Sequence, residues 1–159
     1  WLVFWVGPTG WAEVRGALKD AGWLVDDIPA IWAKTHGQTL QPELYLARGY
    51  EPFFICRKGQ PALIKRGRLN VFNFPGVTSA DKIHTTERPV ALIEEILGLF
   101  GVPISVVLVP FLGSGNTLRA AYNLGMKAFG FDISEEYKAK FLLAVEEDAR
   151  KLNDAQAEE

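Results

Sequence analysis

Residues 104–134, ISVVLVPFLGSGNTLRAAYNLGMKAFGFDIS, decide how the rest of the chain is read. Ile104 to Val109 is a short, apolar, β-branched run, the pattern of a strand buried on both faces. Pro110 to Asn116 turns the chain, with Gly113 and Gly115 supplying backbone freedom and close approach. Thr117 to Leu124 has a helical pattern, and Gly125 stands where a left-handed C-cap belongs. Lys127 to Phe131 predicts a second strand, ending on Asp132. An acid about twenty residues after a glycine turn is a common handle for ribose hydroxyls in a nucleotide-type site. The turn also lays backbone N–H groups and a helix N-terminus beside whatever binds there.

Two absences narrow the ligand. No lysine follows the second glycine, which disfavours a phosphate-cradling loop of the nucleotide-triphosphate kind. Leu118 occupies the place of the third glycine in a dinucleotide fingerprint, which counts against NAD. What remains is an adenosine-bearing cofactor without a pyrophosphate, and S-adenosylmethionine fits that description.

The string PFLGSGNT followed by AAYNLGMKAFGFDISEEY resembles the cofactor loop of DNA amino-methyltransferases, whose usual form is DPFxGSGTT, then A, G and a D-I-S-x-x-Y ending. Upstream, HTTERPVALIEEIL resembles the segment H-x-T-E-K-P-x-x-L that precedes this loop in the permuted (β-type) subclass of DNA N6-adenine/N4-cytosine methyltransferases. That subclass places its catalytic segment first and its cofactor loop last. The two strings stand in that order here, about twenty residues apart, and weaker matches extend the resemblance over nearly the whole chain.

The resemblance implies an α/β fold: a Rossmann-like, S-adenosylmethionine-dependent methyltransferase sheet with helices on both faces, circularly permuted, with N-terminal strands missing. It implies methyl transfer from S-adenosylmethionine to an exocyclic amine of adenine (N6) or cytosine (N4) in double-stranded DNA, as in phage and restriction–modification enzymes. Pro110, Phe111, Gly113, Ser114, Gly115, Asn116 and Thr117 would wrap the methionine portion and the sulfonium, with Phe111 either against the adenine or packed under the loop. Asp132 would hold the ribose hydroxyls and Ile133 would flank the adenine. His84, Thr85, Glu87, Arg88 and Pro89 would close over the cofactor's carboxylate end. Three positions depart from the pattern. Val109 stands where the family has an acid near the cofactor's ammonium, so weaker cofactor affinity, or none, is expected. Asn116 replaces the commoner Thr, and Arg88 replaces Lys.

Composition sets the outer bounds. A chain of 159 residues with 48% hydrophobic content reads as one domain, large enough to bury roughly 70% of its unfolded surface. With a net charge of −2, nothing global draws the chain to nucleic acid, so a DNA-binding face must be local. The local candidates are Arg57, Lys58, Lys65, Arg66 and Arg68, in one loop broken by Gly and Pro. They read either as a solvated connection or as a contact surface for phosphates. The single cysteine, Cys56, excludes an internal disulfide framework, fits a reducing, cytoplasmic compartment, and reads as a small core residue. No metal-ligand spacing appears. The uncharged stretch Ile96 to Leu112 contains two prolines and two glycines and is no membrane span.

Along the chain, Trp1 to Val6 predicts a strand, Trp11 to Ala21 an amphipathic helix stopped by Gly22, and Trp23 to Trp32 strand broken by Pro29. Tyr50 to Cys56 predicts another strand, and Asn70 to Val77 an extended aromatic segment in which Phe72 and Phe74 pack. Arg88 to Phe100 predicts a helix with Val90, Ile93, Leu97 and Phe100 inward and Glu94 and Glu95 facing water. A final helix starts near Ser134, with Tyr137, Phe141, Val145 and Leu152 as its buried stripe and a frayed tail at 152–159. Strands alternating with helices imply a mainly parallel sheet.

Methyl transfer to a base amine relies on in-line placement of a base flipped out of the helix. In the resembled family a D/N/S-P-P-aromatic segment does this, and the chain contains no adjacent prolines at all. The permuted order puts that segment before Trp1, so the chain reads as the cofactor-binding and C-terminal part of an enzyme, with no catalytic residue of its own. An unpaired strand edge beside Ile104 to Val109 follows from that reading, and a homodimer would satisfy it. The rival readings are a non-catalytic module that binds DNA or a protein, and an NAD-type oxidoreductase fragment, which Leu118 disfavours.

Overall fold

The computed structural model describes residues 1–7, 9–37, 39–77 and 87–157, the last seven by their backbone. In chain order the elements are β1 (Leu2–Trp5), α1 (Trp11–Asp20), β2 (Leu24–Val25), β3 (Ala30–Ala33), β4 (Tyr50–Arg57), β5 (Val71–Asn73), α2 (Val90–Leu97), β6 (Val106–Val109), α3 (Asn116–Asn123), β7 (Lys127–Gly130) and α4 (Glu135–Ala157). They cluster in two units, one of Trp1–Gly76 with Gly98–Phe100, the other of Val77–Leu97 with Gly101–Glu159.

In the first unit β4 is the central strand. It pairs antiparallel with β1, β2 and β3, while β3 pairs parallel with β5. The expectation of a mainly parallel sheet therefore fails in this half. The reason is local: the described residues between 34 and 49, which join β3 to β4, form no helix, and a connection without a crossover returns the chain antiparallel. Side chains alternate across β4. Phe54 and Cys56 join Val6 and Leu18 under α1, with Trp11, Val14 and Trp23 around them. On the opposite face Phe53 packs against Trp5 (ring centroids 4.4 Å apart) and Phe72 (5.5 Å). Phe72 and Cys56 are core residues, as their sequence context predicts. Burial pushes the Cys56 thiol above its ordinary titration range.

In the second unit β6 and β7 pair parallel, Val106 opposite Lys127 through Val109 opposite Gly130. Strand β6 begins at Val106; Ile104 instead adopts a left-handed φ of 70°. Two-sided burial holds on one side only. Val107, Val109, Ala128 and Gly130 are half-buried, whereas Val106, Leu108 and Phe129 are exposed. Helix α3 packs on β7 and on α2. Both predicted glycine stops form: after α3 the Gly125 N–H reaches Tyr122 O (2.9 Å) and the Met126 N–H reaches Ala121 O (2.8 Å). The same pair of bonds at Gly22 and Trp23 ends α1.

Helical faces differ from the predicted stripes. In α2 the buried residues are Leu92, Ile93 and Ile96, and Glu94 and Glu95 are half-buried rather than water-facing. In α4 the inward line is Tyr137, Phe141, Ala144 and Asp148, with Val145 40% exposed. Successive steps of four advance about 40° beyond a full turn, so a stripe drawn at i, i+4, i+8 leaves the face it began on. Helix α4 runs on through Ala157, into the expected tail. Among the described residues no helix is long and apolar enough to cross a membrane.

Candidate functional site

Because β6 and β7 are parallel neighbours, the chain leaves both at the same edge of their sheet. The loop Pro110–Gly115 follows β6, and Asp132 and Ile133 follow β7. Clefts outside the carboxyl ends of parallel strands are where α/β sheets hold ligands.

The loop prolongs the strand ladder before it turns. Phe131 N–H donates to Val109 O (2.9 Å) and Leu112 N–H to Phe131 O (2.8 Å). The Leu112 side chain lies over Gly130, where a Cβ would come within 2.8 Å of its Cδ1, so a larger residue there would push the leucine aside. Gly113 (φ 58°) and Gly115 (φ 81°) are left-handed, and Gly115 is the N-cap of α3. The Phe141 ring of α4 occupies the place a Gly115 side chain would need.

Asp132 closes the loop from the other strand. Its Oδ2 accepts the Gly113 N–H at 2.7 Å and its Oδ1 accepts the Ser134 N–H at 2.9 Å. The carboxylate is exposed and turned toward the loop rather than away from it. Phe111 (87% exposed) and Ile133 (fully exposed) present apolar side chains at the same edge. Ser134 then caps α4, its Oγ accepting the Tyr137 N–H at 3.3 Å.

The upstream segment meets the loop through Asn116. Its Nδ2 donates to Glu87 Oε1 (2.8 Å) and to the Arg88 carbonyl (2.9 Å). Asn116, Glu87 and Ser114 are all buried. Arg119 carries the network to α4, its Nη1 3.4 Å from Asn116 Oδ1 and its Nη2 2.6 Å from Asp148 Oδ2. Pro89 stands just before α2, accepting the Ile93 N–H at its carbonyl. Thr117, in the first turn of α3, is half-buried, and Pro110 is exposed. His84 and Thr85 lie outside the described residues.

The residues present fit an adenosyl ligand on three counts: a turn built on two left-handed glycines, an exposed carboxylate fixed over it, and two exposed apolar side chains at its rim. Val109, where an acid would face an ammonium, is half-buried in β6. Sequence reasoning missed Phe141, Leu112 and the Arg119–Asp148 pair as supports of the loop. The helical period points Phe141 inward, but no sequence pattern says that its ring meets a glycine.

The basic loop of the first unit is mixed in character. Arg57, Lys58, Lys65 and Arg66 are exposed, with Lys58 Nζ 5.0 Å from the centre of the Trp23 ring. Arg68 is half-buried, stacked on Phe72 (4.5 Å), and donates to the carbonyls of Leu69 and Val71. Arg68 thus holds its own loop in shape. Among the described residues no group of His, Cys, Asp and Glu could hold a metal ion.

Known proteins share this architecture. A family model described as DNA methylase matches residues 14–144. YubD of Escherichia coli (strain K12), a protein provisionally named a methylase, is 31% identical over 131 residues, covering 80% of this chain and 55% of YubD. The chain therefore spans about half the length of that relative. Among solved structures, M1.HpyAVI in complex with S-adenosylmethionine superposes with a TM-score of 0.74 at 21% identity, over 87% of this chain and 71% of that one. The cytosine-N4-specific PvuII DNA methyltransferase gives 0.71 at 14% identity, over 88% and 61%. At these identities the structural likeness speaks for the fold.

Proposed function

The chain belongs to the N6/N4 DNA methylase family, and from that premise we propose that it is the cofactor-binding and C-terminal part of a DNA methyltransferase. The protein transfers a methyl group from S-adenosylmethionine to an exocyclic amine, adenine N6 or cytosine N4, of double-stranded DNA. The observation that carries this reading is the Asp132 carboxylate bridging the Gly113 and Ser134 amides at the carboxyl ends of β6 and β7. It places an anionic acceptor over a glycine turn, the pairing that grips sugar hydroxyls in adenosine-type sites.

When bound, S-adenosylmethionine supplies an electrophilic methyl group. Asp132 would accept its ribose hydroxyls, and Phe111 and Ile133 would flank the adenine and shield it from water. Pro110, Gly113, Ser114, Gly115 and Thr117 would wrap the methionine portion, with Gly113 keeping the backbone clear of a side chain there. His84, Thr85, Arg88 and Pro89 would border the carboxylate end. Arg57, Lys58, Lys65 and Arg66 contact DNA phosphates, on a loop that Arg68 shapes.

None of these residues orients the target amine, and the D/N/S-P-P-aromatic string that would do so is not among these residues. Val109, half-buried where an acid would face the cofactor's ammonium, supports the second reading, a non-catalytic module of the same fold that binds DNA or a protein. The test is to incubate the whole protein with duplex DNA and cofactor carrying a labelled methyl group, then resolve the nucleosides. Label in N6-methyladenine or N4-methylcytosine is expected and names the target base. Unlabelled DNA overturns the enzyme reading in favour of the module.

A further inference from the structure

Asn116 is placed by its sequence context among the residues that wrap the cofactor, yet its side chain is committed elsewhere. A primary amide has two donor hydrogens and one acceptor oxygen. Both donors go to the upstream segment, at Glu87 Oε1 (2.8 Å) and Arg88 O (2.9 Å), and the oxygen faces Arg119 Nη1 (3.4 Å). No donor is left for a ligand. Glu87 is 7% exposed and Asn116 5%, so the carboxylate–amide bond sits out of water, where an unmade bond is costly.

Its place in the fold gives this bond leverage. Asn116 directly follows Gly115, whose left-handed φ of 81° sets the exit of the glycine turn into α3. From that one residue, hydrogen bonds run back to positions 87 and 88 and forward through Arg119 to Asp148 on α4. Asp132 holds the entry of the turn through Gly113 N–H. The turn is therefore fixed at both ends, at Gly113 by β7's acid and at Asn116 by Glu87.

We propose that Asn116 and Glu87 form a latch that sets the glycine turn against the 87–89 segment, acting on cofactor binding as positioning residues without touching the cofactor. The inference rests on the S-adenosylmethionine reading above. It also explains the departure from Thr at 116: a hydroxyl has one hydrogen to donate and cannot bond the Glu87 carboxylate and the Arg88 carbonyl together.

A latch and a direct contact make opposite demands on Glu87. A carboxylate facing the cofactor's ammonium must carry its charge, whereas the latch needs only an acceptor oxygen in front of Asn116 Nδ2. Calorimetric titration with S-adenosylhomocysteine, on the whole protein and its variants, separates them. E87A and N116A are each expected to weaken binding about tenfold, equivalent to about 1.4 kcal/mol, the double variant no further, and E87Q to stay within about threefold of the parent. A loss in E87Q as deep as in E87A overturns the proposal in favour of direct charge contact, and so does a double variant whose loss is the product of the two singles. A urea double-mutant cycle on the same proteins reads the latch without ligand. Coupling between the two sites is expected, and additivity sinks the latch. Should the parent protein fail to bind S-adenosylhomocysteine, the cofactor reading falls, and with it the latch's role in binding, while the urea cycle still judges the hydrogen bond.

Discussion

At Gly115 two constraints coincide: the left-handed φ of 81° and the Phe141 ring standing where a Cβ would go. Gly59 shares the first constraint (φ 69°) and has open space around it. Comparing the two therefore isolates the ring contact. Gly59→Ala is expected to cost about 1–2 kcal/mol from the left-handed backbone alone. Gly115→Ala should cost roughly 1–3 kcal/mol more through overpacking, read as a difference in urea midpoints at equal slope. Ile104 presents the converse case. A β-branched residue at φ 70° is strained, and its side chain is 77% exposed, so it contributes little burial in return. Ile104→Asn is expected to raise stability by up to about 1 kcal/mol, since asparagine tolerates this region better. Sequence reading placed Ile104 in a strand because apolar, β-branched residues look alike whether they fill a sheet or end a turn. It identified Gly113, Gly115 and Asp132 because turn chemistry is local. Cys56 was legible too, as one small apolar residue inside an aromatic strand. Its burial has a consequence for pH. The folded thiol titrates above its ordinary range, so the folded state holds its proton where the unfolded chain releases it, near about pH 8.5. Stability from this group is present below that pH and declines as pH rises past it. Thiol reagents at pH 8 should accordingly modify Cys56 only as fast as the chain opens.

Among elements, ends were more legible than faces. The stops at Gly22 and Gly125 and the cap at Ser134 depend on bonds within a few residues, and each forms where the sequence places it. Ser134→Ala removes an acceptor for the Tyr137 N–H and is expected to lower stability by about 1 kcal/mol, measured by thermal or urea unfolding. Its backbone also donates to Asp132, and that bond survives the substitution, so S-adenosylhomocysteine binding should change little. Faces depend on what packs against an element, and sequence period alone does not report that. In α2 Ile93 is buried as predicted, but Leu92 and Ile96 complete its stripe in place of Val90 and Leu97, because the apolar run VALIEEIL admits several faces. Strand pairing escaped for a related reason. Alternating strands and helices suggest parallel pairing, but the connection 34–49, without a helix among its described residues, lets β3 and β4 run antiparallel, and nothing in either strand's own composition distinguishes the two.

On the scale of the whole molecule, charge decides how DNA could be held. The net charge is −2, so the chain as a body is weakly repelled by a polyanion, and attraction must come from local cations. In the first unit Arg57, the last residue of β4, and Lys58, Lys65 and Arg66 in the loop after it are exposed. Arg68 anchors that loop through Phe72 and two carbonyls. Each phosphate neutralised by such a cation releases counterions, and the logarithm of the binding constant then falls with the logarithm of salt by about 0.9 per contact on duplex DNA. Replacing Lys65 and Arg66 by serine is therefore expected to shallow the salt slope by roughly 1.8 and to weaken binding alike for all sequences, because phosphate contacts position without reading bases. Arg68→Ser should act differently, lowering stability as well, since it removes the stack on Phe72 and the bonds that shape the loop. Binding measured from low to moderate salt on one duplex and on a scrambled one separates the outcomes. A slope unchanged in the Lys65/Arg66 variant returns this loop to an ordinary solvated connection. A loss confined to one duplex would mean instead that these side chains reach base edges.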